Sequence, residues 1–466
     1  MASAQSVTPS RLASAAASTQ ARLAYILLHF RVAYPGAAEV SIGYEGTGSQ
    51  VEITAGAGAF FSQTSSYPPA PTWREWHGRR VPFFFDVAPA AELLKFSSER
   101  VVIQADIISG AFYLLSGWQE YFSEARDQHG RFPFQASVQQ RYGFVTLPVV
   151  NYYFDVLKTA VEHITGRKLQ SRRWTDEAPF ATFVTHDIDN LHSAWKAPAK
   201  AALRRRNWLA FGRQLWLRFT HPDAWDNLEH VQTAVAEHNA KSTFFLLPQH
   251  QPAPNGTPNA DYRLQSIWRR MQSLQAKGAE LALHGSIGTA TNIDRLRGEA
   301  SKINTSESDT CGLRFHYLSW EPRITPQLVD QLHFAFDSTL GFAEHFGFRH
   351  SYCLPFYPFD FEHGRAHNFL EIPLNVMDAT LHHPKYLQLQ PTEILPALTP
   401  MLQEIERFGG IFTLLWHNEN FDPANELTGP RQFHAIMKYL RSRNTAFLTG
   451  SEILAAQNRR ATGDSH

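Results

Sequence analysis

The sequence predicts an α/β protein in two parts: a parallel sheet closed or nearly closed into a barrel, preceded by a smaller α/β domain. Three observations carry this reading. From Phe180 onward, apolar β-rich runs alternate with amphipathic stretches almost to the C-terminus, the rhythm of strand–helix units winding a parallel sheet. Before residue 166 the elements are shorter and less regular. The composition, 43% hydrophobic and 18% charged with 34 Phe in 466 residues, supplies enough apolar surface for a large core and excludes a disordered chain.

Taken in order, residues 1–20 are rich in Ala and Ser and read as a disordered leader. The apolar stretch Ala24–Phe30 is short and is interrupted by His29 and Arg31, so it is no secretory signal, and a cytoplasmic protein is expected. Short strands are expected at 51–54 and 81–86, on either side of a turn-rich stretch at 67–72. A helix is expected at 107–121 and another at 149–165, where Val149, Tyr153, Val156 and Ala160 recur at helical spacing. These make 21–165 a small α/β extension of unknown role, with 166–178 as its linker. The barrel occupies 179–457 and a flexible tail 458–466. Its strands are expected at 180–185, 241–247, 280–284, 312–318, 334–337, 369–377, 409–416 and 445–449, and its helices at 224–239, 262–277, 325–333, 391–408 and 430–443.

Charge and cysteine content narrow the function classes. Lys+Arg and Asp+Glu number 43 each, so the chain lacks the basic excess of a nucleic-acid binder. No run reaches the roughly 20 apolar residues of a membrane span. Cys311 and Cys353 are too few for a disulfide framework and lack zinc-thiolate spacing, so both read as free thiols. One segment departs from overall neutrality: 197–219 carries Lys200, Arg204, Arg205, Arg206, Arg213 and Arg218 among Trp208, Leu209, Phe211, Leu215 and Trp216. It reads either as a surface helix with a solvated basic face or as a peripheral contact with an anionic membrane.

Barrels of this kind place their chemistry at the C-terminal ends of strands. There the expected first strand runs into His186-Asp187-Ile188-Asp189, and the third into His284-Gly285-Ser286. The fourth carries Arg314, His316 and Tyr317, and the seventh ends on Trp416-His417. Asp187 and Asp189 stand two apart, so in extended backbone both project from one face; one can hold a metal while the other handles a proton. His284 supplies a nitrogen suited to zinc, iron, cobalt or nickel. Two carboxylates so close on one strand cannot comfortably flank a glycosidic bond, which argues against a glycosidase.

Thr185-His-Asp187-Ile-Asp189, Leu283-His284-Gly-Ser286, Leu313-Arg314-Phe-His-Tyr317 and Leu414-Leu-Trp416-His417 stand in the order of the motifs of the polysaccharide deacetylases. The chain over about residues 178–457 resembles that family, the carbohydrate esterases with a NodB homology domain and a distorted (β/α) barrel. The segments Asp337–Gly341, Gly347–Phe356 and Glu371–Leu381, with the first 165 residues, resemble bacterial members that carry a long N-terminal extension without assigned chemistry. The resemblance implies Asp187 as catalytic base, Asp189 and His284 as metal ligands, and Arg314 as the partner that aims the base. It also implies an oxyanion site at the Tyr317 backbone, His417 as general acid and Asp337 as the carboxylate orienting His417. The implied cofactor is a divalent metal, Zn2+, and the implied partner an amino-sugar-containing glycan or a lipid-linked glycan intermediate.

Two positions depart from the family pattern. Its second metal-binding histidine falls on Gly288, leaving a third ligand to come from Ser286, Thr289, His316 or His350. His316 also stands where the family usually has proline. The missing histidine gives a second reading, a weakened barrel that binds carbohydrate or scaffolds glycan synthesis. Trp416 and the aromatic loop containing Phe356 and Tyr357 offer either a wall for sugar rings or core packing.

Overall fold

A computed structural model describes residues 16–254, 256–303 and 312–461. The expected leader falls mostly on residues outside these ranges, as do Cys311 and the end of the 458–466 tail. Residues 16–20 are the exception. Ala17 is buried, and the Ser18 hydroxyl accepts from the Ala21 N–H to start a helix, Thr19–Ala33, that the short apolar stretch did not reveal.

In the N-terminal part a four-stranded sheet runs in the order Ile42–Tyr44, Val51–Ile53, Val101–Ile103, Leu94–Phe96; the last pair is antiparallel and the others parallel. A separate hairpin pairs Thr72–Trp76 with Arg79–Phe83, turning on His77 and Gly78, both at positive φ. The helix Val149–Thr165 has the expected bounds and stops at Gly166, whose φ of 63° is left-handed. The helix expected over 107–121 is two, Ile107–Leu115 and Trp118–Phe122. Gly117 breaks it at φ 71°, where a Cβ would lie 2.9 Å from His350 Nε2, so the barrel's close approach sets the break.

The barrel sheet is parallel throughout. Its strands lie in the order Leu370–Glu371, Phe336–Asp337, Gly312–Phe315, Glu280–Gly285, Thr243–Leu246, Ala181–Ile188, Ile411–Leu415, Val376–Met377, with Ala446–Phe447 also paired to the start of Ala181–Ile188. The two outermost strands are consecutive in sequence, so the segment 370–377 bridges both edges of the curled sheet. Pro373 lies between them, where no ladder hydrogen bond is required. Ala181–Ile188 is buried along its whole length, as a central parallel strand must be. Each expected barrel strand and helix has a counterpart, but the strand expected at 369–377 is two, Leu370–Glu371 and Val376–Met377, on opposite edges of the sheet. Missed were the helices Ile293–Ile303, Asp378–His382 and Gly450–Ala461, the last running into the expected flexible tail, and the division of 196–220 into two helices, Lys196–Arg204 and Trp208–Thr220.

The apolar core is continuous across the two parts. Tyr25 and Phe112 meet Phe359 at ring-centroid distances of 5.0 and 4.8 Å, and Tyr121 stacks on Phe361 at 4.1 Å. Buried polar links reinforce this contact. Arg349 forks onto Glu120 at 2.6 and 2.8 Å, Gln139 donates to the Arg349 carbonyl, and backbone bonds join Phe348 to Val145 and Val150 to Ser351. Cys353, a free thiol, is buried beside this seam.

Candidate active site

The C-terminal ends of the barrel strands open into a cavity of about 580 Å³ lined by Asp187, Asp189, His284, His316, Tyr317 and His417. Three groups of contacts organise it.

The first is an ion pair. Arg314 is fully buried; its Nη1 donates to Asp187 Oδ1 at 2.9 Å and to the Thr185 hydroxyl at 2.9 Å, while Nε and Nη2 are fixed by the carbonyl and hydroxyl of Ser338. Burial opposes ionisation of Asp187, but its interactions with His284, Arg314 and His417 outweigh it and hold the carboxyl below its usual range.

The second is a three-sided cluster. Asp189 Oδ1 lies 3.5 Å from His284 Nε2 and 3.4 Å from His316 Nδ1, and the two nitrogens are 3.1 Å apart. His284 donates its Nδ1–H to the Arg314 carbonyl at 2.9 Å, which turns the Nε2 lone pair inward. Burial pushes His316 down to about 4 and also lowers His284, so both imidazoles are neutral and able to ligate. Asp189 Oδ1 is buried without a hydrogen-bond partner, and burial raises this carboxyl above its usual range. Tetrahedral ligands about 2.1 Å from a zinc ion stand about 3.4 Å apart, close to all three separations. The donor set, its spacing and the orphaned oxygen therefore fit a divalent cation.

The third is a charged dyad. His417 donates Nδ1–H to Asp378 Oδ1 at 2.7 Å, and its backbone N–H meets Oδ2 at 2.6 Å; His417 Nε2 points to Asp189 Oδ2 at 3.9 Å. Burial alone would lower His417, but Asp378 outweighs it and raises the imidazole well above its ordinary value.

The dyad corrects the expectation for Asp337. That side chain accepts from the backbone and hydroxyl of Thr339 and is directed at Glu371 on the next strand, where burial raises it to about 6. It does not reach His417. Asp378, which performs that contact, opens the helix Asp378–His382 directly after the strand Val376–Met377. Its place at a strand end was the signal available for finding it.

Among the four candidates for a third ligand, the fold brings only His316 to Asp189 and His284. His350 is buried against Phe356 and Gly117, and burial takes it to about 4. Ser286 and Thr289 stand outside the cavity lining, the Thr289 hydroxyl donating to the Ser286 carbonyl and the Ser286 N–H to Glu299. Gly288, at φ 86°, is the left-handed residue of that turn, a conformation costly for a histidine.

The aromatic expectations divide. Tyr317 lines the cavity, but Trp416 is buried against Phe433, pointing away from it. Phe356 and Tyr357 face the N-terminal helix: the Tyr357 N–H donates to His29 Nε2, and its carbonyl accepts from the Tyr25 hydroxyl. The extension has taken the surface that sugar rings were expected to use.

It also contributes to the cavity. Arg131, braced by Asp127 at 2.6 Å, donates Nη1–H to the Tyr317 carbonyl at 2.9 Å, and the His129 ring stacks on Tyr317 at 4.5 Å and 7°. Tyr317 and Leu318 are consecutive left-handed residues, at φ 57° and 55°, an arrangement non-glycine residues keep only under external restraint. Glu419, also on the cavity wall, is raised by burial to about 7.

Residues 19–166 match a family model described as a family of unknown function, DUF7033. No curated protein matches the chain. Solved structures similar to it include a Mycobacterium smegmatis protein described as a polysaccharide deacetylase, at 16% identity, covering 63% of this chain and 94% of that one with a TM-score of 0.41. The allantoinase Puue is 11% identical over the same shares, at a TM-score of 0.42. BA3943 from Bacillus anthracis, described as a CE4 family pseudoenzyme, is 12% identical, covering 59% of this chain and 65% of its own, at 0.30.

Proposed function

We propose that this chain is a metal-dependent hydrolase that removes N-acetyl groups from amino-sugar units of a polysaccharide or of its biosynthetic intermediate. The observation that carries the reading is the buried, unpartnered Asp189 Oδ1 facing two neutral imidazole nitrogens beside a separate, ionised Asp187. The motif order Asp187/Asp189, His284, Arg314, His417 supports the same chemistry.

A divalent cation, zinc by this reading, held by Asp189, His284 and His316 supplies Lewis acidity toward a carbonyl oxygen and acidifies water. Asp187 takes the proton of the attacking water, and Arg314 keeps its carboxylate ionised and aimed. The Tyr317 turn presents backbone N–H groups to the developing oxyanion, with each such donor typically worth about 3 kcal/mol. Arg131 and His129 hold that turn from outside the barrel. His417, kept cationic by Asp378, gives a proton to the departing amine. A neighbouring hollow of about 660 Å³ shares His316 and Tyr317 with the cavity and gives room for a further sugar.

The test is acetate release from N-acetylglucosamine oligomers by zinc-loaded protein. Asp187→Asn is expected to lower kcat about a thousandfold with the fold retained. Reducing-end release without acetate would instead indicate glycosidic cleavage and reject the reading.

A further inference from the structure

Between the strand Ala181–Ile188 and the helix Leu228–Ala236 the chain inserts a helical hairpin, Lys196–Arg204 and Trp208–Thr220. Its second helix buries none of its residues. The four most exposed large hydrophobic side chains among the described residues all lie on it: Leu209 at 90%, Phe219 at 79%, Trp208 at 66% and Trp216 at 59%. At 3.6 residues per turn these four fall within about 100° of arc. Arg213 and Arg218 flank that arc, and Arg204, Arg205 and Arg206 form the turn at its Trp208 end. Lys196 and Lys200 add to the same charge, and no Asp or Glu occurs from Asn190 to Pro222. In a chain of zero net charge, one hairpin therefore concentrates seven cations with no anion beside an uncovered aromatic face.

We infer that this hairpin docks the protein on an anionic phospholipid surface. Trp, Leu and Phe side chains on one face, with guanidinium groups at its margins, match the depth profile of a bilayer interface, where rings enter the headgroup–acyl boundary and arginines meet phosphates. A second protein surface would satisfy the apolar face too, but it would have to bring carboxylates to match seven cations along the same hairpin. Thirteen residues of helix reach about 20 Å, too short to span, so the helix lies along the membrane. The hairpin springs from the rim of the catalytic cavity, where Ala194, Ala197 and Pro198 are part of the lining. Docking brings the cavity mouth to the bilayer and, where the deacetylase reading holds, selects substrates carried on a lipid. Docking itself does not require that chemistry.

The experiment is co-sedimentation of the full chain with phosphatidylcholine vesicles, with and without one quarter phosphatidylglycerol. The expected result is binding to the anionic vesicles at least about tenfold stronger than to neutral ones, weakened by salt. The variant Trp208→Ser/Leu209→Ser/Trp216→Ser/Phe219→Ser and the variant Arg204→Gln/Arg205→Gln/Arg206→Gln/Arg213→Gln should each lose it while keeping the wild-type thermal midpoint. Absence of binding by the wild type, or binding that both variants retain, overturns the inference. So does a wild-type dimer that the apolar variant converts to monomer, which would give the face to a second copy.

Discussion

Asp106 in the N-terminal region, fully buried, and Asp189 in the barrel, part-exposed but with its Oδ1 buried, are the same residue type treated in opposite ways. Asp106 accepts four hydrogen bonds, from the backbone N–H groups of Gly56, Ala57 and Ser109 and from the Tyr44 hydroxyl, and so caps a helix and ties two loops. Asp189 leaves one buried oxygen without any bond, aimed at two imidazoles. An unmet buried carboxylate oxygen is costly, and here it faces two imidazole nitrogens at ligand spacing. The contrast extends to the two regions: the barrel gathers charge around one cavity, and the extension spends it within its own loops and, through Glu120 and Arg131, on the barrel.

The largest effect on that contrast is expected at the seam. Glu120 and Arg349 are both buried, and removing one partner strands the other, so Glu120→Ala should destabilise the whole chain by about 3–5 kcal/mol in a single transition followed by denaturant unfolding. An extension that melted separately from the barrel would break the comparison. The pair also sets an acid response. The Arg349 charge outweighs burial and holds Glu120 below its usual range, so its contribution is complete above the unfolded value and fades as pH falls through the folded one.

A smaller effect separates the dyad from the seam. Asp378→Asn removes the anion that raises His417, so the basic limb of the activity–pH profile should move to lower pH, and kcat should fall by about tenfold to a hundredfold. An unmoved limb would mean that His417 is not the proton donor. The smallest effect is at Arg131. Arg131→Ala should lower kcat several-fold, about tenfold at most, through a looser Tyr317 turn, without changing zinc affinity. Rescue by Arg131→Lys would sharpen this assignment, because a lysine can still reach the Tyr317 carbonyl.

Much of the barrel was legible because fully buried strands such as Thr243–Leu246 and Ile411–Leu415 read as nearly unbroken apolar runs, and polar residues at strand ends stand out. The N-terminal helix Thr19–Ala33 was hidden because its buried face includes Arg22, which lies over the Phe61 ring, and His29, which accepts from the Tyr357 N–H, distant contacts that the local sequence does not show. The pairings made by Asp378 and Arg131 were illegible for a related reason. Their partners His417 and Tyr317 lie 39 and 186 residues away, and only the curl of the sheet and the docking of the extension bring them together. The choice among Ser286, Thr289, His316 and His350 likewise depended on which side chain the fourth strand turns inward.

The most direct measurement is zinc binding to metal-free protein by titration calorimetry, comparing wild type with His316→Ala and His350→Ala. The account predicts one zinc per chain in the wild type and in His350→Ala, and an affinity at least about a hundredfold lower in His316→Ala. A wild type that binds no zinc, or a His316→Ala protein that binds it with unchanged affinity, would contradict the assignment of Asp189, His284 and His316 as the metal site.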